Sequence, residues 1–223
     1  AAVFNAKKSG KNVILSHAFV SDIVVYDSLF TVDLPKSIAI DTTIDSMTHA
    51  IEGYLSKINV DKTDKHVFES LKTIIQVLDS DIEMQKSESQ QELLFASFLS
   101  GIVQNHCSVG LTHSISHQLS RYGIPHGRLN AIFLVDVLKY NYSRENSKLD
   151  ILAENLGYDN GSLLIQWLED IISVYEIGSI SDYIDNFSSI KFEELIKDIK
   201  SDITYTTTPF DISDGELLKI LNT

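Results

Sequence analysis

The sequence predicts a mainly α-helical protein, a helical bundle preceded by a short N-terminal β segment. Three observations carry that expectation. From Pro35 onward apolar residues recur at spacings of three and four, the period of one helix face. Two stretches, QELLFASFLSGIVQ and LNAIFLVDVLKYN, are apolar nearly all round, as buried central helices are. The short β-branched runs, NVILS and DIVVYD, lie near the start of the chain and read as strands.

The elements follow in order. LPKS breaks the β-like segment, and Pro35 stands just before a long helical stretch containing DSMTHAIEGYLSK. In VFESLKTIIQVL the residues Val67, Phe68, Leu71, Ile74, Ile75 and Leu78 share one face. QELLFASFLSGIVQ carries Ala96, Ser97, Ser100 and Gly101, which admit close neighbours. After LNAIFLVDVLKYN come LDILAENLG, LLIQWLEDIISVY, FEELIKDI and GELLKIL, each amphipathic and separated by Gly, Asp or Ser turns, with Trp167 reading as core. There is no internal repeat. The expected division is residues 1–34 as strands and 35–223 as an all-helical domain.

Composition narrows the function. The formal net charge of −13 argues against nucleic acid, which needs clustered Lys and Arg. From Ser143 to Thr223 sixteen acidic residues face six basic ones, which reads as the solvated outer face of helices. No apolar run approaches the ~20 residues of a membrane span. The start, AAVFNAKKSGKN, has no signal-peptide core, and the single Cys107 forms no internal disulfide, so a cytoplasmic protein is expected.

The chemistry is concentrated in two segments. In DSMTH, Asp45 and His49 stand at i and i+4, so a carboxylate and an imidazole share one helix face. In GLTHSISHQLSRYGIPHG, His113 and His117 repeat that spacing, and His126 is held between Pro125 and Gly127. One carboxylate with two or three imidazoles and no thiolate suits a borderline divalent ion, Fe²⁺ or Zn²⁺. Each piece alone has a plainer reading: Asp-x-x-x-His as a surface pair, a histidine at a helix start as a cap. Their conjunction points to a metal. Glu52 reads first as a solvated glutamate and second as a partner orienting an imidazole. His66 is expected to face solvent, and His106 and Cys107, being adjacent on a helix, do not face each other.

In this order, DSMTHAIEGYLS, GLTHSISHQL, IPHGRLNAIFL and VLKYN resemble the iron-containing (group III) alcohol dehydrogenases. NVILSHAFVSDIVVYDSLFTVDLP is similar to the closing strands of that family's N-terminal domain, and YTTTPFDISDGELLKIL to its C-terminal tail. The resemblance implies the dehydroquinate synthase-like/iron alcohol dehydrogenase fold, with residues 1–34 as remnant strands of a dinucleotide-binding domain and 35–223 as the metal-binding domain. It implies Asp45, His49, His113 and His126 as metal ligands, and His117 as a catalytic residue beside the metal and the nicotinamide ring. The implied cofactors are Fe²⁺ or Zn²⁺ and NAD or NADP, and the implied substrate is a small alcohol or aldehyde. A homodimer is the candidate assembly. Dehydroquinate synthase and glycerol dehydrogenase relatives share the architecture with other ligand patterns, and a non-catalytic helical scaffold descended from the family is the rival of another class.

The sequence also departs from the family. Thr42 and Thr43 stand where a Thr-Gly pair is usual, and HQLS, with Gln118 and Ser120, replaces HPLG. Val135 and Asp136 stand where Pro and His are common, and the interval from His113 to His126 is one residue shorter than in most members. The ten glycines are scattered, and none forms a Gly-rich loop after a strand. The chain is therefore expected to be the metal-binding half, inactive in isolation: either a fragment of a longer protein, the expectation favoured here, or the product of a gene that has lost the dinucleotide-binding half.

Overall fold

The computed structural model describes residues 2–6, 10–14, 16, 18, 20–80, 84–185, 187 and 190–222, with side chains from residue 16 onward. It begins with an antiparallel backbone pair, β1 (Ala2–Ala6) and β2 (Gly10–Ile14), in which Ala2 lies opposite Ile14 and Ala6 opposite Gly10. Of NVILS, Asn12–Ile14 fall in β2, and Leu15 lies outside the described residues.

DIVVYD is not a strand. Residues 22–27 run without a ladder partner, and Ile23 and Val25 are 81% and 85% exposed. A strand exists only through the backbone hydrogen bonds of a neighbour, and no described strand lies beside this segment.

Nine α-helices follow among the described residues: α1 (Lys36–Leu55), α2 (Asp64–Leu78), α3 (Ser87–Cys107), α4 (Leu111–Leu119), α5 (His126–Arg144), α6 (Ser147–Leu156), α7 (Gly161–Val174), α8 (Phe192–Ser201) and α9 (Asp214–Leu221). Pro35 starts α1, because its fixed φ suits a helix entrance and its missing N–H would have no partner there. Helix α1 is the centre of the bundle, packing on α2, α3 and α5. It buries Ile40, Ile44, Met47 and Ile51 along its length. Helix α2 buries the stripe its periodicity announces, including Val67, Leu71 and Ile74. Its close approach to α3 is tied by Ser70, whose Oγ lies 2.7 Å from that of Ser100 and donates to the Ala96 carbonyl.

Helix α5 is buried over most of its circumference, as its composition suggests. Helix α3 is not. It buries Leu93, Ala96, Leu99, Ser100 and Val103, while Leu94, Phe95, Phe98 and Ile102 on its other side are half-buried. Tyr26 covers part of that side, with its ring 6.2 and 5.9 Å from those of Phe95 and Phe98. Trp167 is half-buried against the core, and its Nε1 donates to Asp79. Helix α8 and the 3-10 turn that follows it (Ile203–Thr207) pack on α4, bringing the far end of the chain to the middle of the bundle. No described helix is long and apolar enough to cross a membrane.

Candidate metal centre

The site forms where α1, α4 and α5 meet. Helix α1 supplies Asp45, His49 and Glu52 from successive turns of one face. Helix α4 is short and wholly buried, and it brings His113 and His117. Helix α5 brings His126 at its first position, directly after Pro125. Gly127 sets how near α5 comes, since a Cβ there would lie 2.3 Å from the Asp41 carbonyl oxygen of α1. Only a residue without a side chain lets the helix start, and hence His126, sit this close.

Three imidazole nitrogens converge on one carboxylate oxygen. Nε2 of His113, His126 and His49 lie 3.6, 3.7 and 3.8 Å from Oδ1 of Asp45. These separations are too long for hydrogen bonds. They match the spacing of two ligands sharing one ion: bonds of about 2.1 Å at a tetrahedral angle set neighbouring ligand atoms about 3.4 Å apart. Asp45, His113 and His126 form the tightest group, each offering an atom within 4.8 Å of the others'. His49 stands at its edge, its ring stacked on that of His113 at 4.6 Å. A hard–borderline set of one carboxylate and three imidazoles fits Fe²⁺ or Zn²⁺ on chemical grounds.

Glu52 is buried rather than solvated, the reverse of the preferred sequence reading. It is 4% exposed. Its Oε2 accepts from Nδ1 of His113 at 2.8 Å and from the Gly110 amide at 2.8 Å, and its Oε1 accepts from the Thr112 amide at 2.6 Å. The carboxylate thus satisfies orphan amides at the start of α4 and meets the positive end of its dipole. It also fixes the His113 tautomer, leaving Nε2 toward Asp45.

The charges respond to this packing. Burial disfavours the His113 imidazolium, but the Glu52 hydrogen bond and the negative charges of Glu52 and Asp45 outweigh it and push the ring up to about 9. His49 is driven down to about 4, by burial and then by the charge of His113. Burial opposes the Asp45 carboxylate, yet the charges of the three imidazoles gathered round it hold it well below the usual range. Burial also opposes Glu52, and its bonds to His113 and the α4 amides bring it below the ordinary glutamate value.

His117 is near this group without joining it. Its ring stacks on that of His126 at 5.3 Å, and its Nδ1 lies 3.1 Å from Oδ2 of Asp202. Two residues of the site were not singled out from sequence. Asn130, one turn after His126 on the same face, donates from Nδ2 to Asp45 Oδ1 at 2.6 Å and lies 3.3 and 3.4 Å from Nε2 of His113 and His126. Its i+4 spacing was a usable signal. Asp202 comes from beyond α8, and nothing local marks it. His66, expected in solvent, is half-buried. His106 is exposed and Cys107 buried, so the two do not face each other.

A cleft of about 330 Å³ opens on Asp45 and His49. Its other walls are uncharged and include Thr31, Leu34, Thr42, Thr43, Ser46 and Gln90.

The chain is 29% identical over 161 residues to 1,3-propanediol dehydrogenase of Citrobacter freundii, covering 71% of this chain and 42% of that protein. It is 35% identical over 128 residues to alcohol dehydrogenase 4 of Schizosaccharomyces pombe, covering 56% of this chain and 30% of that one. It therefore spans less than half the length of these relatives. An iron-containing alcohol dehydrogenase from Thermococcus thioreducens superposes with a TM-score of 0.85 at 23% identity, over 94% of this chain and 57% of that one. Sulfoacetaldehyde reductase from Bifidobacterium kashiwanohense, in complex with NAD⁺, superposes with a TM-score of 0.83 at 21% identity, over 95% and 56%. At these identities the likeness is one of fold. Residues 39–196, more than half of the chain, match the C-terminal domain of the Fe-containing alcohol dehydrogenase family, and the chain belongs to that family.

Proposed function

We propose that Asp45, His49, His113 and His126 hold one divalent ion, Fe²⁺ or Zn²⁺, and that the chain is the metal-binding half of a nicotinamide-dependent dehydrogenase for a small alcohol, or reductase for the corresponding aldehyde. The observation that carries this reading is the convergence of three Nε2 atoms on Asp45 Oδ1 at 3.6–3.8 Å. Residues 1–34 would belong with a dinucleotide-binding domain, and residues 35–223 form the metal-binding one.

The chemistry such an ion supplies is Lewis-acid polarisation of the substrate oxygen. Hydride exchange belongs to the nicotinamide of NAD or NADP. The chain's own residues do the rest. Glu52 keeps Nδ1 of His113 protonated and Nε2 turned inward. The apolar shell of α1, α4 and α5 keeps bulk water from His113, which is 1% exposed. His117 takes the released proton at Nε2, since its Nδ1 is engaged by Asp202. The cleft walls favour an uncharged substrate, because a sulfonate like that of the NAD⁺-bound neighbour's substrate would find no Lys or Arg among these lining residues.

The test is metal analysis of the chain purified without chelator. One ion per chain is expected, with stoichiometric loss in His126→Ala and in His49→Ala. Full metal content in both variants would refute the ligand set. In a protein that carries both halves, His117→Ala is expected to cut turnover while leaving the metal in place.

A further inference from the structure

The partner of His117 is built with more care than a chance contact requires. Asp202 sits between α8 and the 3-10 turn Ile203–Thr207, and its side chain is 7% exposed. Its Oδ2 accepts from Nδ1 of His117 at 3.1 Å and from Nε2 of Gln118 at 3.1 Å. Its Oδ1 accepts from the Thr204 amide at 2.9 Å and the Thr204 hydroxyl at 2.7 Å. Gln118 is held in turn by Arg121, which donates to its Oε1 at 2.6 Å and to Asp198 of α8 at 2.9 Å. Both carboxylate oxygens are saturated, and α4 is braced to α8 around them.

Such a carboxylate selects one form of the ring. An ionised carboxylate only accepts, so Nδ1 of His117 must carry the hydrogen. A neutral imidazole then has its lone pair on Nε2. Burial works against the ionised form of Asp202, but the bonds from His117 and Thr204 hold it below the ordinary aspartate value. The Gln118 amide is the second donor on the same oxygen and fixes the carboxylate's rotation. A proline at that position, as in HPLG, has no such donor, so this brace is a property of the HQLS sequence here.

We propose that Asp202, braced by Gln118 and Arg121, is the positioning residue for His117, locking its imidazole as the Nδ1–H tautomer with Nε2 as the acceptor. The inference rests on the reading of His117 given above. It adds the group that makes that role available, contributed by the segment after α8 rather than by α1, α4 or α5, which carry the four candidate ligands.

Long-range ¹H–¹⁵N spectra of the histidine-labelled 223-residue chain at pH 8, with and without Zn²⁺, test it directly. The His117 signals are assigned by their loss in His117→Gln. In the unmodified chain His117 is expected as Nδ1–H alone, and an Nε2–H or imidazolium ring overturns the proposal. In Asp202→Asn, whose neutral amide imposes no choice, the Nδ1–H fraction should fall by half or more. In Asp202→Glu it should recover. An unchanged tautomer in Asp202→Asn also overturns the proposal. Zinc content in Asp202→Asn should stay at one per chain, and a loss equal to that in His113→Ala would make His117 a ligand and overturn the positioning role. If the unmodified chain binds no ion, the metal reading fails, while the metal-free spectra still decide the role of Asp202.

Discussion

Glu52 accepts a hydrogen bond from Nδ1 of His113 at 2.8 Å, and both groups are almost wholly buried. A metal-binding imidazole commonly has a carboxylate behind it that fixes its tautomer. Glu52→Gln keeps the volume but removes the charge and can present N–H where an acceptor is needed. We expect metal affinity to fall about 10–100-fold, the usual loss for such partners. Chelator competition measures it, and an unchanged affinity would show that Glu52 only caps α4.

Metal binding should release a proton near neutral pH. Without an ion His113 titrates at about 9, so at pH 7 it carries a proton that the ion must displace. Affinity should rise with pH, by about tenfold per unit for one proton, and level off as pH passes 9. The same raised value stabilises the metal-free fold fully below pH 6.5, a contribution lost as pH climbs toward 9. Glu52 acts in the opposite direction: its lowered value stabilises above pH 4.5 and is lost as acid protonates it in the folded state. Calorimetry in buffers of different ionisation enthalpy counts the released protons. A flat affinity between pH 6.5 and 8.5 contradicts the His113 assignment.

Two glycines in helices should respond oppositely to alanine. Gly101→Ala meets nothing within 4 Å, so it is expected to stabilise α3 by about 0.5–1 kcal/mol. Gly127→Ala would place a Cβ 2.3 Å from the Asp41 carbonyl and 2.7 Å from its carbon, which are backbone atoms that cannot swing aside. Helix α5 would have to retreat, at a cost of about 1–3 kcal/mol or more. His126 would move with it. Lowered thermal stability together with weaker metal binding is expected in Gly127→Ala, and a stabilised variant would mean the approach of α5 to α1 is looser than described.

Asn130 and an ion compete for one atom. Its amide donates to Asp45 Oδ1 at 2.6 Å, the oxygen on which the imidazoles converge. Asn130→Ala removes that donor, so the metal-free chain should lose about 1–3 kcal/mol as the carboxylate loses a partner. The rise in melting temperature on adding Zn²⁺ should then be larger than in the unmodified chain. Complete loss of metal would instead make Asn130 a ligand.

The length and composition of each helix were legible locally. The i, i+4 spacing of Asp45 with His49 and of His113 with His117, and the Pro-His-Gly start of α5, placed donor atoms on particular faces before any packing was known. Those features depend on backbone geometry over a few residues, which the sequence carries directly. Glu52 shows where that information stops. Its spacing put it on the face of His49, but only the arrival of the α4 amides made burial of its charge favourable.

What the sequence by itself determined, then, was which residues could act together: the helices, the donor-bearing faces and the family. The tertiary structure decided which faces meet. It denied DIVVYD a strand, because strand pairing requires a neighbour, and it left one side of α3 half-buried despite its apolar composition. It joined Asp202, at the end of α8, to His117 of α4, a contact between residues far apart in the chain. Hydrogen bonds of this kind depend on the positions of whole helices, which are set by the packing of the entire core and by no local pattern.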